Sequence, residues 1–189
     1  MIRTDAGTYL WLAALLLLMP LEWIMAAIAA ALVHELCHLL VLLLLGGKVR
    51  KVHISIEGCV IEAVVHGNWQ SLSSILAGPV GSFTLLLFSR IVPRIAVCGL
   101  FHGIYNLLPV LPLDGGRALQ LILHFVCPEQ AQCILMWTAG LTLLLIFAAA
   151  VWCTLVGNCG ILPIFAATVL VMKHLPRKIP CKPPKIGVQ

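Results

Sequence analysis

Charge is scarce in this sequence. Only 10% of its 189 residues are charged, with 7 Asp+Glu against 12 Lys+Arg, while 61% are apolar and the mean hydropathy is +1.08. A soluble domain carries about 25% charged and roughly 45–50% apolar residues. A soluble chain of this length could not hide so much apolar surface, because the exterior of a small fold is mostly wetted. Disorder and an ordinary cytosolic enzyme are excluded on the same ground. Paired cysteine motifs are absent too. The eight cysteines (Cys37, Cys59, Cys98, Cys127, Cys133, Cys153, Cys159 and Cys181) include no CxxC pair. That argues against a secreted disulfide scaffold and leaves them as small apolar filler, with only Cys153 and Cys159 spaced to meet across a loop. The first apolar run lacks the small-residue cleavage site of a signal peptide. What remains is a polytopic helical membrane protein. The formal net charge of +5 does not point to nucleic acid, because the basic residues fall in short loops and the tail.

Six membrane segments are predicted: about Tyr9–Pro20, Trp23–Leu45, Leu72–Ile91, Ile95–Leu108, Cys133–Leu155 and Ile161–Met172. A straight span needs around 20 apolar residues, so the first, fourth and sixth are short or partly irregular. With the N-terminus inside, Arg3, Lys48, Arg50, Lys51, Arg117, Lys173, Arg177, Lys178, Lys182 and Lys185 face the cytoplasm, and only Arg90 and Arg94 face out. The positive-inside rule therefore puts both termini of a multi-pass cell-membrane protein in the cytoplasm. Residues 1–175 are expected to form the membrane domain. Residues 176–189, rich in Pro and Lys, read as a loose basic tail near anionic lipid. Lys48–Val65 differs from its surroundings. Polar and apolar residues alternate from Lys51 to Glu57, a period of two that predicts strands, with Gly58-Cys59 as the turn. The expected fold is thus all-α and polytopic, with about six transmembrane helices and a short cytoplasmic-side β-hairpin between the second and third.

Ionisable side chains inside spans are costly and mark function. The second span holds three, His34, Glu35 and His38, in the pattern HExxH. On a helix the two histidines lie about 40° apart in azimuth and about 6 Å apart along the axis. Their imidazoles can therefore reach one metal ion. Glu35 lies beside them, placed to act on a water rather than to ligate. Five-residue patterns recur by chance on solvated helices. Here apolar residues flank the motif on both sides (Ala26–Val33 and Leu39–Leu45), which argues against a solvated face. A catalytic zinc takes three protein ligands and keeps one open position. The third is sought among Glu22, Glu57, Glu62, Glu129 and Asp114. Asp114 follows Pro109, Pro112 and precedes Gly115-Gly116, and broken backbone at membrane depth is tolerated only where it is buried or lines a cavity. That makes Asp114 the best candidate, with a helix N-cap as its other reading.

HELCH in a second span, followed by LLPVLPLDGGR some 70 residues later, resembles the site-2 protease family of intramembrane zinc metalloproteases, and within it the stage IV sporulation protease branch. The resemblance covers about residues 10–172. It implies that His34, His38 and Asp114 bind zinc (Zn2+), that Glu35 is the catalytic acid/base, and that Asn106 and Pro109 help hold the substrate. Ala77-Gly78-Pro79 matches the family's third span. The chain departs from the family at Cys37, where Gly is usual, and at Ser82, where Asn is common. Cys37 lies off the His34–His38 face and is not expected to ligate. No CBS or PDZ module is read, so control is expected from a regulatory membrane partner, from substrate presentation, or not at all. The resemblance implies hydrolysis of a peptide bond in a membrane-associated or transmembrane protein, with the lipid bilayer as the other partner. The oligomeric state has no signal in the sequence.

A helical substrate hides its peptide bonds and must be extended, and the Lys48–Val65 strands offer an edge for strand addition, with Ile54 and Ile56 as binding residues. His53 and His66 read as interfacial. His102 is a further intramembrane histidine, either bonded within the bundle or acting beside the metal. His124 reads as interfacial. The alternative is a membrane metal-binding or metal-transport protein. Against it, a Glu adjacent to the first His is what hydrolysis needs, and the internal repeats common in transporters are not seen.

Overall fold

Two consecutive glycines end the first long helix. In the computed structural model, which describes residues 20–55, 58–64, 67–157, 160 and 162–174, α1 spans Leu21–Leu44. Gly46 follows with φ 78°, a left-handed conformation open to glycine. The Gly46 amide donates to Leu43 O and the Gly47 amide to Leu42 O, the two bonds of a Schellman cap. The chain then enters β1 (Lys48–Ser55), which pairs antiparallel with β2 (Gly58–Val64) in a two-stranded sheet. Ser55 stands opposite Gly58 and Ile54 opposite Cys59. Gly58 therefore opens the second strand instead of forming the turn, and the two residues between, Ile56 and Glu57, lie outside the described residues. The register slips between Val49 and Lys51, a bulge in β1.

The chain divides into two compact units, residues 1–107 and 108–189. In the first, α1 packs on α2 (Asn68–Thr84) and on α3 (Pro93–Asn106), and α2 continues into a 3-10 turn at Leu85–Phe88. The packed faces are made of small residues. Ala26 and Ala30 are buried on α1, Ala77, Gly78 and Gly81 on α2, and Ala96, Gly99 and Gly103 on α3. A Cβ on Gly99 would meet Ser82 O at 2.9 Å. Small residues let helix backbones approach where lipid offers no hydrophobic drive to associate. The large apolar side chains point the other way: Met25, Ile28, Leu32, Leu36 and Leu40 are all exposed on α1. Arg94 and Glu22 pair at 2.7 Å, which brings the starts of α1 and α3 to one end of this unit.

In the second unit an irregular stretch leads into α4 (Asp114–Val126), followed by α5 (Ala131–Leu155) and α6 (Leu162–His174). No span was predicted over 114–126. The prolines and paired glycines suggest a loop, yet Leu119 and Leu123 recur at helical spacing and pack with Leu135 of α5. Gly116 is needed because a Cβ there would meet the Val110 carbonyl oxygen at 2.6 Å and the Leu111 nitrogen at 2.7 Å. Among the described residues three helices are long and apolar enough to cross a membrane: Leu21–Leu44, Asn68–Phe88 and Ala131–Leu155. The first predicted segment, Tyr9–Met19, and the basic tail from Leu175 onward lie outside the described residues, as do Val65, His66 and Cys159.

Candidate metal centre

Both histidines of HExxH are aimed by α2. His34 is buried, and its Nδ1 lies 2.9 Å from Ser82 Oγ. His38 is half-buried, and its Nδ1 donates to the carbonyl oxygen of Ser74 at 2.7 Å. A carbonyl can only accept, so this bond puts the proton of a neutral His38 on Nδ1 and leaves a lone pair on Nε2. That nitrogen lies 3.0 Å from His34 Nε2. Two nitrogens bound tetrahedrally to one zinc at about 2.0–2.1 Å would stand about 3.3 Å apart. The separation thus suits a shared cation as well as a shared proton.

Gly78 sits between the two hydrogen-bonding positions of α2. A Cβ there would collide with His38 Nε2 and come within 2.7 Å of His34 Nε2. Ser74, Gly78 and Ser82 are four residues apart, one stripe of the helix. Next to it, Gly81 makes room for Cys37, whose sulfur would collide with any Cβ at that position. Cys37 therefore fills a notch in α2. His102 of α3 packs edge-on to the other side of His34, with ring centroids 4.6 Å apart at 87°.

In the second unit Asp114 is buried and opens α4. Leu113, not Asp114, occupies the N-cap position, so the N-cap reading of Asp114 is corrected. A carboxylate in the first turn of a helix is favoured by the helix dipole. His34 and His38 of the first unit and Asp114 of the second are each of a side-chain type that binds zinc. Two of the other acids stand elsewhere. Glu22 is spent on Arg94, and Glu129 is exposed between α4 and α5. Glu62 pairs with Lys51 in the sheet register, and Glu57 lies outside the described residues. Glu35, next to His34, is half-buried. Asn106 is the last residue of α3, and its Nδ2 donates to His102 O at 3.0 Å. Pro109 is half-buried in the irregular stretch before α4. His124 bonds to Gln120 O of its own helix.

Residues 59–148 match the model of peptidase family M50. The matched segment, just under half of the chain, is similar to that family. It begins in β2 and ends in α5, so it contains Asn106, Pro109 and Asp114, while His34, Glu35 and His38 precede it. A protein of Synechocystis sp. named as a zinc metalloprotease is 33% identical over 135 residues, 60% of this chain and 36% of that protein. Stage IV sporulation protein FB of Bacillus subtilis is 26% identical over 145 residues, 68% of this chain and 50% of that protein. The chain therefore spans half or less of the length of these two relatives. The site-2 protease from Methanocaldococcus jannaschii shares the fold, with a TM-score of 0.52 at 22% identity over 78% of this chain and 73% of that one. The M50 match and the apolar helices point to a membrane protein with a fold like that of the site-2 protease.

Ser74 and Gly78 were not among the residues predicted for the site, and Ser82 entered only as a departure from a family pattern. Their signal was the four-residue spacing opposite an intramembrane HExxH. Hydroxyls in apolar helices commonly bond back into their own helix, which hides such a signal.

Proposed function

We propose that this protein is an intramembrane zinc metalloprotease that hydrolyses a peptide bond of a membrane-associated or transmembrane protein. The observation that carries the reading is the pair of Nε2 atoms, 3.0 Å apart on a membrane-length helix, with both Nδ1 atoms already engaged by α2. The donor set of two imidazoles and one carboxylate fits a catalytic zinc, and Asp114 is the third ligand in this reading. Zinc bound there supplies Lewis-acid polarisation of a scissile carbonyl and makes a water acidic near neutral pH. Glu35 takes the proton of the attacking water and delivers it to the leaving amine. Ser74 and Ser82 keep the imidazoles turned toward the ion. The small-residue packing around His34 keeps bulk water from the pair.

The substrate is expected to lie extended along the edge of the β1–β2 sheet, with Ile54 and Ile56 as contacts, and to be held near its scissile bond by Asn106 and Pro109. Six spans with both termini in the cytoplasm complete the reading. The three long apolar helices and the shorter Pro163–Met172 supply four of the spans, and α3 the fifth.

Purified protein should contain zinc, and Glu35→Gln should keep that zinc while losing cleavage of a panel of membrane peptides by at least roughly 100-fold. Asp114→Ala should lower both. Wild-type protein that binds no zinc would remove the reading. Full zinc and activity in Asp114→Ala would move the third ligand to Glu57 or Glu62.

A further inference from the structure

We infer that Ser82 is a positioning residue for the metal, the side chain that orients the His34 ring with Nε2 toward the ion; this rests on the zinc reading of the site. Ser71, Thr84, Thr138, Thr142, Thr154 and Thr168 all donate to a carbonyl three or four residues back in the chain. That is the default for a hydroxyl in an apolar helix, where it satisfies itself locally. Two serines of α2 reach across to α1 instead: Ser74 Oγ donates to the His38 carbonyl at 3.4 Å, and the fully buried Ser82 meets the His34 side chain itself at Nδ1, 2.9 Å away.

The two histidines are held differently. His38 is oriented by a backbone carbonyl, which every residue at position 74 would supply. His34 is oriented by a side chain, which one substitution removes. For Nε2 of a neutral His34 to face a cation, the ring proton must sit on Nδ1, and the Ser82 oxygen is the acceptor placed to receive it. The ring of His102 packs against the same imidazole from α3, while Ser82 lies at its Nδ1. Ser82 is therefore a hydroxyl placed to hold Nδ1 and so keep Nε2 of His34 turned toward a cation.

Partners of this kind are typically worth 10- to 100-fold in metal affinity. Alanine is smaller than serine, so Ser82→Ala adds no atom to the tight contact with Gly103, whose added Cβ would stand 3.1 Å from that of Ser82. The test measures zinc affinity by chelator competition on the full chain in detergent, together with thermal unfolding of the chelator-treated protein. Ser82→Ala should bind zinc about 10- to 100-fold more weakly, with metal-free unfolding unchanged. Thr84→Val, which removes a self-bonded hydroxyl from the same helix, should bind zinc like wild type. Wild-type affinity in Ser82→Ala would overturn the inference. So would a weakened affinity matched by an equally lowered metal-free unfolding temperature, because Ser82 would then serve packing. If wild type itself bound no zinc, the metalloprotease reading would fail first.

Discussion

Helices α1 and α5 have nearly the same hydropathy, 2.2 and 2.3, and nearly the same length, 24 and 25 residues. Each buries one stripe at four-residue spacing. On α5 the stripe is Ala131, Leu135, Ala139 and Leu143; on α1 it is Ala26, Ala30 and His34, with His38 half-buried and Leu42 buried beyond it. The difference lies in what the polar groups meet. The threonines of α5 turn back to their own carbonyls, so that helix needs nothing polar from its neighbours. The histidines of α1 cannot satisfy both ring nitrogens within their own helix. They require the Ser74–Gly78–Ser82 stripe of α2, which supplies an acceptor to one, a hydroxyl to the other and open space between. Two helices alike in composition thus differ in what they ask of their neighbours: the α5 threonines bond within their own helix, and the α1 histidines bond across to α2.

The comparison breaks most sharply at Gly78. Gly78→Ala places a methyl group against both Nε2 atoms, where the cation would sit. Zinc content should fall below detection and cleavage by at least about 100-fold, as measured by metal analysis and peptide assay, because one oxyanion- or charge-stabilising group alone is worth about that much. A Gly78→Ala protein that retained zinc would mean that the ion does not lie between the imidazoles.

A mid-sized effect belongs to α5. Leu135 is buried in the α4–α5 cluster with Leu123 and Ala131. Leu135→Ala should lower stability by roughly 2–5 kcal/mol through lost contacts and a cavity, read as a lower unfolding temperature. Zinc affinity should stay at the wild-type value if α5 is structural.

The smallest effect is expected at Gly140 of α5, where a Cβ would meet nothing within 4 Å. Gly140→Ala should stabilise the helix by about 0.5–1 kcal/mol and leave zinc and cleavage unchanged. The same substitution would then be ruinous at one glycine and mildly helpful at another, in two helices that are both long and apolar enough to cross a membrane. Loss of activity in Gly140→Ala would extend the functional surface to α5.

The candidate donor residues were legible because metal chemistry restricts them to few types at fixed spacing. His34, Glu35 and His38 stand out in an apolar run, and Asp114 stands out beside prolines that break a helix. Helix α4 was hidden, because Pro112, Gly115 and Gly116 read as loop signals until Gly116 is seen under the Val110–Leu111 backbone. Gly58 misled in the same way: as a turn signal it is ambiguous, and only the register opposite Ser55 places it in a strand.

Composition and spacing alone determined that this is a membrane protein and which side chains can bind a metal, because both follow from the chemistry of individual residues. Tertiary structure alone decided that Ser82 meets His34, that the Ser74 carbonyl meets His38 and that Gly78 lies at their nitrogens. Serine and glycine are common in membrane helices and carry no local mark of such a role. Their meaning depends on which helix they face and at what distance, and that is set by small-residue packing between segments some forty residues apart.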